Sequence, residues 1–394
     1  MRYPAYINEI IKRFEDVGEH AYIVGGSLRD MLIGLPPHDY DIATSALPDK
    51  TCELFSDKRV IKTGIKHGTV CVLFDGEPVE ITTLRIDGSY ADSRHPDSVS
   101  FTRDITEDLS RRDFTVNAIA YNPALGIIDP FGGKADIENR ILRTVGSPRL
   151  RFSEDALRIM RLYRFCAQLE FDIEADTLAG AAAMADGLDR VARERIHSEL
   201  FRLLSSQRPY RALSLMKKSG IFEHVFDGYS PDVSLINKVE LLPSTDVLRL
   251  ALLLWGTDKE TAAEHLRSLR CSTKQTTGTL AILEGARTSV VSALDARKLI
   301  AHAGIYAPLA ARLSVVLGIS PNGAAELVEK QQNTPSKVTD LKINGKDISE
   351  LSAKGKLIGS TLDALLEAVI ADPTLNERDT LIRMAKDILN GKGN

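Results

Sequence analysis

In the stretch IVGGSLRDMLIGLPPHDYDIATS, residues 23–45, Asp39 and Asp41 stand one residue apart. On an extended strand alternate side chains share a face, so this spacing aims two carboxylates at one spot. Two unpaired anions there repel each other and ask for a cation between them. Hard oxygen donors suit Mg²⁺, which takes its remaining ligands from water and substrate phosphates. Metal ions held in this way stabilise the attacking and leaving oxygens of a phosphoryl transfer. Upstream, Gly25, Gly26 and Ser27 lie between an apolar run and a helical pattern. Absent side chains let a phosphate approach the backbone, and a helix N-terminus offers free N–H donors. Arg29, on the first turn, adds charge-assisted bonds for a triphosphate.

The elements needed to position these groups are legible nearby. Residues 7–18 show an amphipathic helical period ending at Gly18. AYIV (21–24) reads as a strand, SLRDMLIGL as a helix begun by Ser27, and DYDIAT as a second strand. TVCVLFDGEPVEITTLR (69–85) reads as a hairpin turning at Asp75-Gly76. On it, Glu80 is a candidate third carboxylate, with a surface position equally open. Beyond residue 150 helical periodicity dominates, as in 153–169, 193–206, 209–220 and 245–256. Prolines near 230 and 335 mark joints. The fold class is α+β.

A chain of 394 residues exceeds one hydrophobic core, so two or more domains are expected. A net charge of −4 leaves any nucleic-acid contact to local patches. Residues 140–165 supply one, with seven arginines against Glu154 and Asp155. A second basic cluster lies at 267–275. Cys52, Cys71, Cys166 and Cys271 lack C-x-x-C spacing, which speaks against a disulfide framework or zinc site and fits a reducing cytoplasm. The N-terminal residues lack the apolar core of a signal peptide. The stretch 247–256, taken as the most apolar, is too short to cross a bilayer, so no membrane partner is expected.

The combination G-G-x-x-R-D-x-L-x-G followed by D-x-D-I-A-T resembles the DNA polymerase β-like nucleotidyltransferases. More closely, it resembles the bacterial class II tRNA nucleotidyltransferases that add the 3′-terminal CCA, and their poly(A) polymerase relatives. The segment EDLSRRDFTVNAIAYN (107–122) continues the match. It implies that Arg112 contacts phosphate and Asp113 meets the ribose. SEDALRIMRLYRF (153–165) is a third match, and it implies that Asp155 and Arg158 read the incoming base. Spaced by three on one helix, Asp155 and Arg158 are neighbours, and Arg161 and Arg164 extend the row into the nucleotide site. A carboxylate only accepts and a guanidinium only donates. Such a couple matches the pairing edges of C and A together and mismatches G and U. RERIHSEL (193–200) resembles the family's neck, where Glu194, Arg195 and Glu199 brace the base-reading helix.

The resemblance implies an α+β chain with a nucleotidyltransferase head of mixed sheet and helices (1–145). An all-α neck (146–206), body (207–330) and tail (331–394) follow, the last two binding tRNA. It implies metal-dependent transfer of C, C and A from CTP and ATP, with Mg²⁺ on Asp39 and Asp41. The polar segment 83–101 reads as a mobile loop, and its presence implies that A addition is retained. The alternatives are an A-adding enzyme or poly(A) polymerase of the same fold, a catalytically idle RNA-binding module, and a small-molecule nucleotidyltransferase. CTP incorporation separates the first, the intact Asp39–Asp41 pair opposes the second, and the long helical half opposes the third.

Overall fold

The computed structural model describes all residues except 2, 38, 75, 89–98 and 392–394. It contains two compact units, Met1–Ser230 and Pro231–Asn394, whose boundary falls at one of the proline-marked joints.

The first unit opens with α1 (Ala5–Glu15), β1 (Ala21–Val24), α2 (Gly25–Leu32), β2 (Asp41–Thr44) and α3 (Pro48–Leu54). Then come β3 (Arg59–Ile61), β4 (Thr69–Phe74), β5 (Glu77–Thr83), β6 (Arg85–Asp87), β7 (Val99–Phe101), α4 (Ile105–Ser110), β8 (Ala120–Asn122), β9 (Gly126–Ile128) and α5 (Gly133–Glu138). Seven strands form one sheet in the order β3-β4-β5-β2-β1-β8-β9. Only β2 and β5 run parallel; the other pairs are antiparallel. β1 is buried along its whole length between β2 and β8, which explains its unbroken apolar run. β4 alternates instead, turning Val70, Val72 and Phe74 inward. α1 buries Ile7, Ile10, Ile11 and Phe14, one helical stripe, and Phe14 meets Phe55 edge-on.

The helical part of this unit comprises β10 (Ile141–Leu142), α6 (Pro148–Glu154), α7 (Leu157–Leu169), β11 (Asp172–Ile173), α8 (Ala175–Ala183), α9 (Arg193–Leu204), α10 (Tyr210–Lys218) and α11 (Ile221–Val225). α7 is its central element. Ile159, Met160, Leu162, Tyr163, Phe165 and Cys166 are all buried, because α9 and α10 pack against it. β10 and β11 are a short parallel pair; RILRTVG (140–146) reads as extended in the sequence, while its partner β11 was not foreseen.

The segment 83–101 differs from the expected irregular loop at its ends. β6 and β7 pair antiparallel, Arg85 opposite Phe101, and make a separate two-stranded ribbon. Residues 89–98, on which the expectation of mobility mainly falls, lie outside the described residues.

The second unit is helical: α12 (Val233–Ile236), α13 (Asp246–Leu253), α14 (Lys259–Ser268), α15 (Thr273–Gly285), α16 (Ala293–Ala303), α17 (Ala307–Val316), α18 (Ala324–Gln331), α19 (Gly345–Glu350), α20 (Lys356–Ala371) and α21 (Arg378–Gly391). Among the described residues, Ala293–Val316 is long and apolar enough to cross a membrane. It breaks at Gly304 into α16 and α17. Its Ala296, Leu299, Ala307, Ala310 and Ala311 belong to the core shared with Val290 and Val328.

Candidate active site

The motifs singled out in the sequence converge on one cavity of about 590 Å³ in the first unit. Gly25, Gly26, Arg29, Asp39, Asp41, Arg112, Asp113, Asp155, Arg158, Arg161 and Arg164 all line it, as do Glu80, Arg111, Asn117, Phe165 and Arg195. The lining therefore holds seven arginines and five carboxylates, a balance suited to a polyanion and a cation together.

β2 begins at Asp41, and Asp39 sits in the bend before it. The alternate-face argument therefore does not apply to Asp39, yet both carboxylates reach the cavity. Asp41 is held centrally, opposite Val24 of β1 and beside Glu80 of β5. Burial pushes the Asp41 carboxyl up to about 6; Asp39 and Glu80 add to the rise, and Arg112 opposes it. Negative charge is thus concentrated where a cation would relieve it. Asp39, Asp41 and Glu80 are hard oxygen donors, which fits Mg²⁺. No cluster of three or more His, Cys, Asp or Glu groups with metal-holding geometry occurs among the described residues, so a metal there needs ligands from substrate and water. Glu80 was weighed in the sequence without being assigned; its pairing with β2 is what brings it here.

α2 begins at Gly25, two residues earlier than expected. Gly25 has φ +70°, and a Cβ on it would stand 3.0 Å from Arg112 Nη1 and 3.5 Å from Asp41 Oδ2. Only glycine fits both the backbone and the gap. Ser27 is a correction: it does not cap the helix or line the cavity. Its hydroxyl is buried and donates to the Val24 carbonyl at 3.0 Å. Arg29 lines the cavity but is already engaged, donating from Nη1 to Asn117 Oδ1 at 2.7 Å and from Nη2 to Asp30 at 2.7 Å.

Arg112 leans on Asp108 through Nη2 at 3.1 Å, and its buried Nε has no partner. Asp113 is saturated. Oδ1 accepts from Phe114 N at 2.8 Å and Asn117 Nδ2 at 3.0 Å; Oδ2 accepts from Arg161 Nε at 2.8 Å and Nη2 at 2.7 Å. Burial raises its pKa, but Arg161, Asn117 and Arg158 outweigh burial and hold it well below the usual carboxylate range.

The expected single helix over 153–169 is two. α6 stops at Glu154, Asp155 is extended (φ −145°, ψ 103°), and α7 starts at Leu157. Asp155 and Arg158 are therefore not neighbours on one helix face. The Asp155 carboxylate accepts locally from Leu157 N at 3.0 Å and across the fold from Arg195 Nη2 at 2.8 Å. Arg158 donates to Glu154 Oε2 at 2.6 Å, to the Arg151 carbonyl at 3.1 Å and to the Arg111 carbonyl at 3.0 Å. Arg161 and Arg164 sit beside the Phe165 ring, with guanidinium carbons 5.3 and 3.9 Å from its centroid. Arg164 pairs with buried Glu199 of α9. Bracing from α9 is thus seen at Arg195 and Glu199, and Arg195 also enters the cavity. Arg111 and Asn117 were not singled out; their membership in the R-R-D-F-T-x-N run was the available signal.

Comparison with known proteins agrees along the chain. Residues 21–143 match the poly A polymerase head domain, 170–233 the "Probable RNA and SrmB- binding site of polymerase A", and 243–385 the tRNA nucleotidyltransferase domain 2. The CCA-adding enzyme of Levilactobacillus brevis is 35% identical over 385 residues, covering 96% of each chain. That of Geobacillus kaustophilus is 37% identical, covering 94% of each. The crystal structure of the Bacillus stearothermophilus CCA-adding enzyme in complex with CTP superimposes with a TM-score of 0.83 at 31% identity, over 100% of this chain and 99% of that one. With its α+β head and helical remainder, the chain belongs to the family of CCA-adding enzymes, nucleotidyltransferases built on a poly(A) polymerase head.

Proposed function

We propose that this chain adds C, C and A to the 3′ end of tRNA from CTP and ATP without a nucleic-acid template, releasing pyrophosphate. One observation carries the reading. In a chain of this family, Asp39 and Asp41 share a cavity with the Gly25–Gly26 bend and seven arginines.

Asp39 and Asp41 hold Mg²⁺, with Glu80 beside them. When bound there, the metal lowers the pKa of the primer hydroxyl and neutralises charge on the triphosphate. The backbone N–H groups of Gly25 and Gly26 and the Arg112 guanidinium receive the phosphates. The forward-facing Nη1 of Arg112 suits that task. Asp155 accepts from the exocyclic amine of C or A, and Arg158 donates to the adjacent ring nitrogen. Asp113 keeps Arg161 in place; a ribose contact at Asp113 requires one of its four donors to be displaced. The tRNA acceptor end enters beside the arginine-rich 140–165 segment, held by its phosphates and shape.

The division into head (1–145), neck (146–206), body (207–330) and tail (331–394) belongs to this reading, as does a cytoplasmic site of action. The four free cysteines fit a reducing compartment.

The test is a primer-extension gel. Transcripts lacking CCA, CA or A are each offered CTP, ATP, UTP and GTP. The expected result is C on the first two and A on the third; UTP incorporation as fast as CTP overturns the assignment of Asp155 and Arg158.

A further inference from the structure

Two consecutive arginines of the R-R-D segment turn back onto one carboxylate. Asp108, in α4, is 1% exposed. Its Oδ1 accepts from Arg111 Nε at 3.0 Å and Nη2 at 2.7 Å, and from the backbone N–H of Arg85 at 3.3 Å. Its Oδ2 accepts from Arg112 Nη2 at 3.1 Å. Burial raises the Asp108 pKa, yet Arg112 and Arg111 outweigh it and keep the group below the usual carboxylate range, hence charged. Asp108 itself does not line the cavity; both of its arginine partners do.

The placement matters because of what lies on the other side of Arg112. Arg112 Nη1 and Asp41 Oδ2 both approach the one point that a Gly25 Cβ would occupy, at 3.0 and 3.5 Å. Arg112 therefore stands between two anions, Asp108 behind it and Asp41 in front. A guanidinium on a flexible stem settles on whichever carboxylate offers the better bond. Without a charge behind it, Arg112 is drawn forward onto Asp41, where it competes with the cation and leaves the phosphate position.

We propose that Asp108 is a positioning residue for nucleotidyl transfer: it holds Arg112 back from Asp41, keeping the guanidinium on the triphosphate and the carboxylate open to the metal. This rests on the nucleotidyltransferase reading given above. Arg111 takes its place in the same clamp, so its charge does not repel Arg112 from the site. Through its bond to the Arg85 N–H, the clamp is also tied to the first residue of β6, at the root of the β6–β7 ribbon.

The experiment uses the full chain, tRNA lacking its terminal A, ATP and titrated Mg²⁺. Asp108→Asn keeps the shape and removes the charge. The expected result is a rise of roughly tenfold or more in KM for ATP, the scale of one lost charge-assisted bond. The Mg²⁺ concentration for half-activation rises with it, while kcat at saturating ATP and Mg²⁺ stays within about threefold. Asp108→Glu, which restores the charge, recovers most of the KM. The second arm is a cycle with Arg112→Met: in that background Asp108→Asn raises KM by less than about twofold, because its effect runs through Arg112. Equal ATP and Mg²⁺ dependence in wild type and Asp108→Asn overturns the proposal, as does an undiminished effect in the Arg112→Met background. Loss of kcat alone with a lowered melting temperature, not recovered by Asp108→Glu, also overturns it in favour of a purely structural role. Failure of the wild-type chain itself to extend the tRNA would instead strike at the function, not at Asp108.

Discussion

Replacing Asp41 by Asn is expected to stabilise the protein while abolishing transfer. The Asp41 carboxyl is raised from 3.8 to about 6, by burial first, then by Asp39 and Glu80. A carboxyl whose folded-state value lies above its unfolded one binds protons more tightly when folded. Ionising it therefore costs stability, and the cost grows as pH climbs from 3.8 to about 6 and is fully present above that. The difference corresponds to about 3 kcal/mol; partial exposure at the cavity mouth trims this to about 1–2 kcal/mol. For a unit of this size the melting midpoint moves by about 2–4 °C per kcal/mol. In chelator at pH 7.5, Asp41→Asn should therefore melt about 2–8 °C above wild type. The gap should narrow by pH 5, where the wild-type carboxyl is largely protonated. Adding Mg²⁺ with ATP should raise the wild-type midpoint and leave the variant where it was. Differential scanning fluorimetry across pH, with and without metal, reads all of this. A variant that melts at or below wild type at pH 7.5, or a gap that is the same at pH 5, refutes the reasoning.

Gly25→Ala places a Cβ 3.0 Å from Arg112 Nη1 at φ +70°; it should cost about 1–2 kcal/mol of stability and raise KM for both nucleotides in steady-state kinetics. Asp155→Ala removes the proposed acceptor for the base amine and the ion-pair partner of Arg195. The ratio of CTP to UTP incorporation on a primer lacking CCA should fall by about tenfold or more. Glu199→Ala removes the buried counter-ion of Arg164, leaving it the Gln168 bond alone, and should lower stability by about 3 kcal/mol in urea unfolding. Metal-supported binding of ATP, followed by titration calorimetry, should weaken as pH drops through about 6, because protons then compete for Asp41.

The chemistry of the site was more legible than its geometry. Aspartates, arginines and paired glycines announce themselves by type and spacing, and eleven of the twelve residues singled out line one cavity. Ser27 failed because a helix start was read from a good capping residue, while Gly25 at positive φ already opens the helix. The helix over 153–169 failed because Ala156 and Leu157 favour helix locally, whereas Asp155 is pulled out of it by Arg195, far away in sequence. Asp39 reaches the cavity from a bend, not from the strand face its spacing suggested. The β6–β7 ribbon was invisible because three-residue strands in a polar stretch carry too little alternation to register. Glu80 entered through strand pairing and Arg195 through helix packing, which no local window contains.

The break between α6 and α7 has a mechanical corollary. On one continuous helix the acceptor at Asp155 and the donor at Arg158 would be bolted to a single rod and could never change their interval. Here Arg158 rides on α7, while Asp155 stands at the joint before it in extended torsions, its carbonyl accepting from the Arg158 N–H at 3.0 Å and its carboxylate tethered to α9 by Arg195. Under the proposed reading, the interval between acceptor and donor is then set by the Arg195 tether as well as by α7, so a shift of α9 against α7 would change it and let bases of different width be gauged by the same two residues.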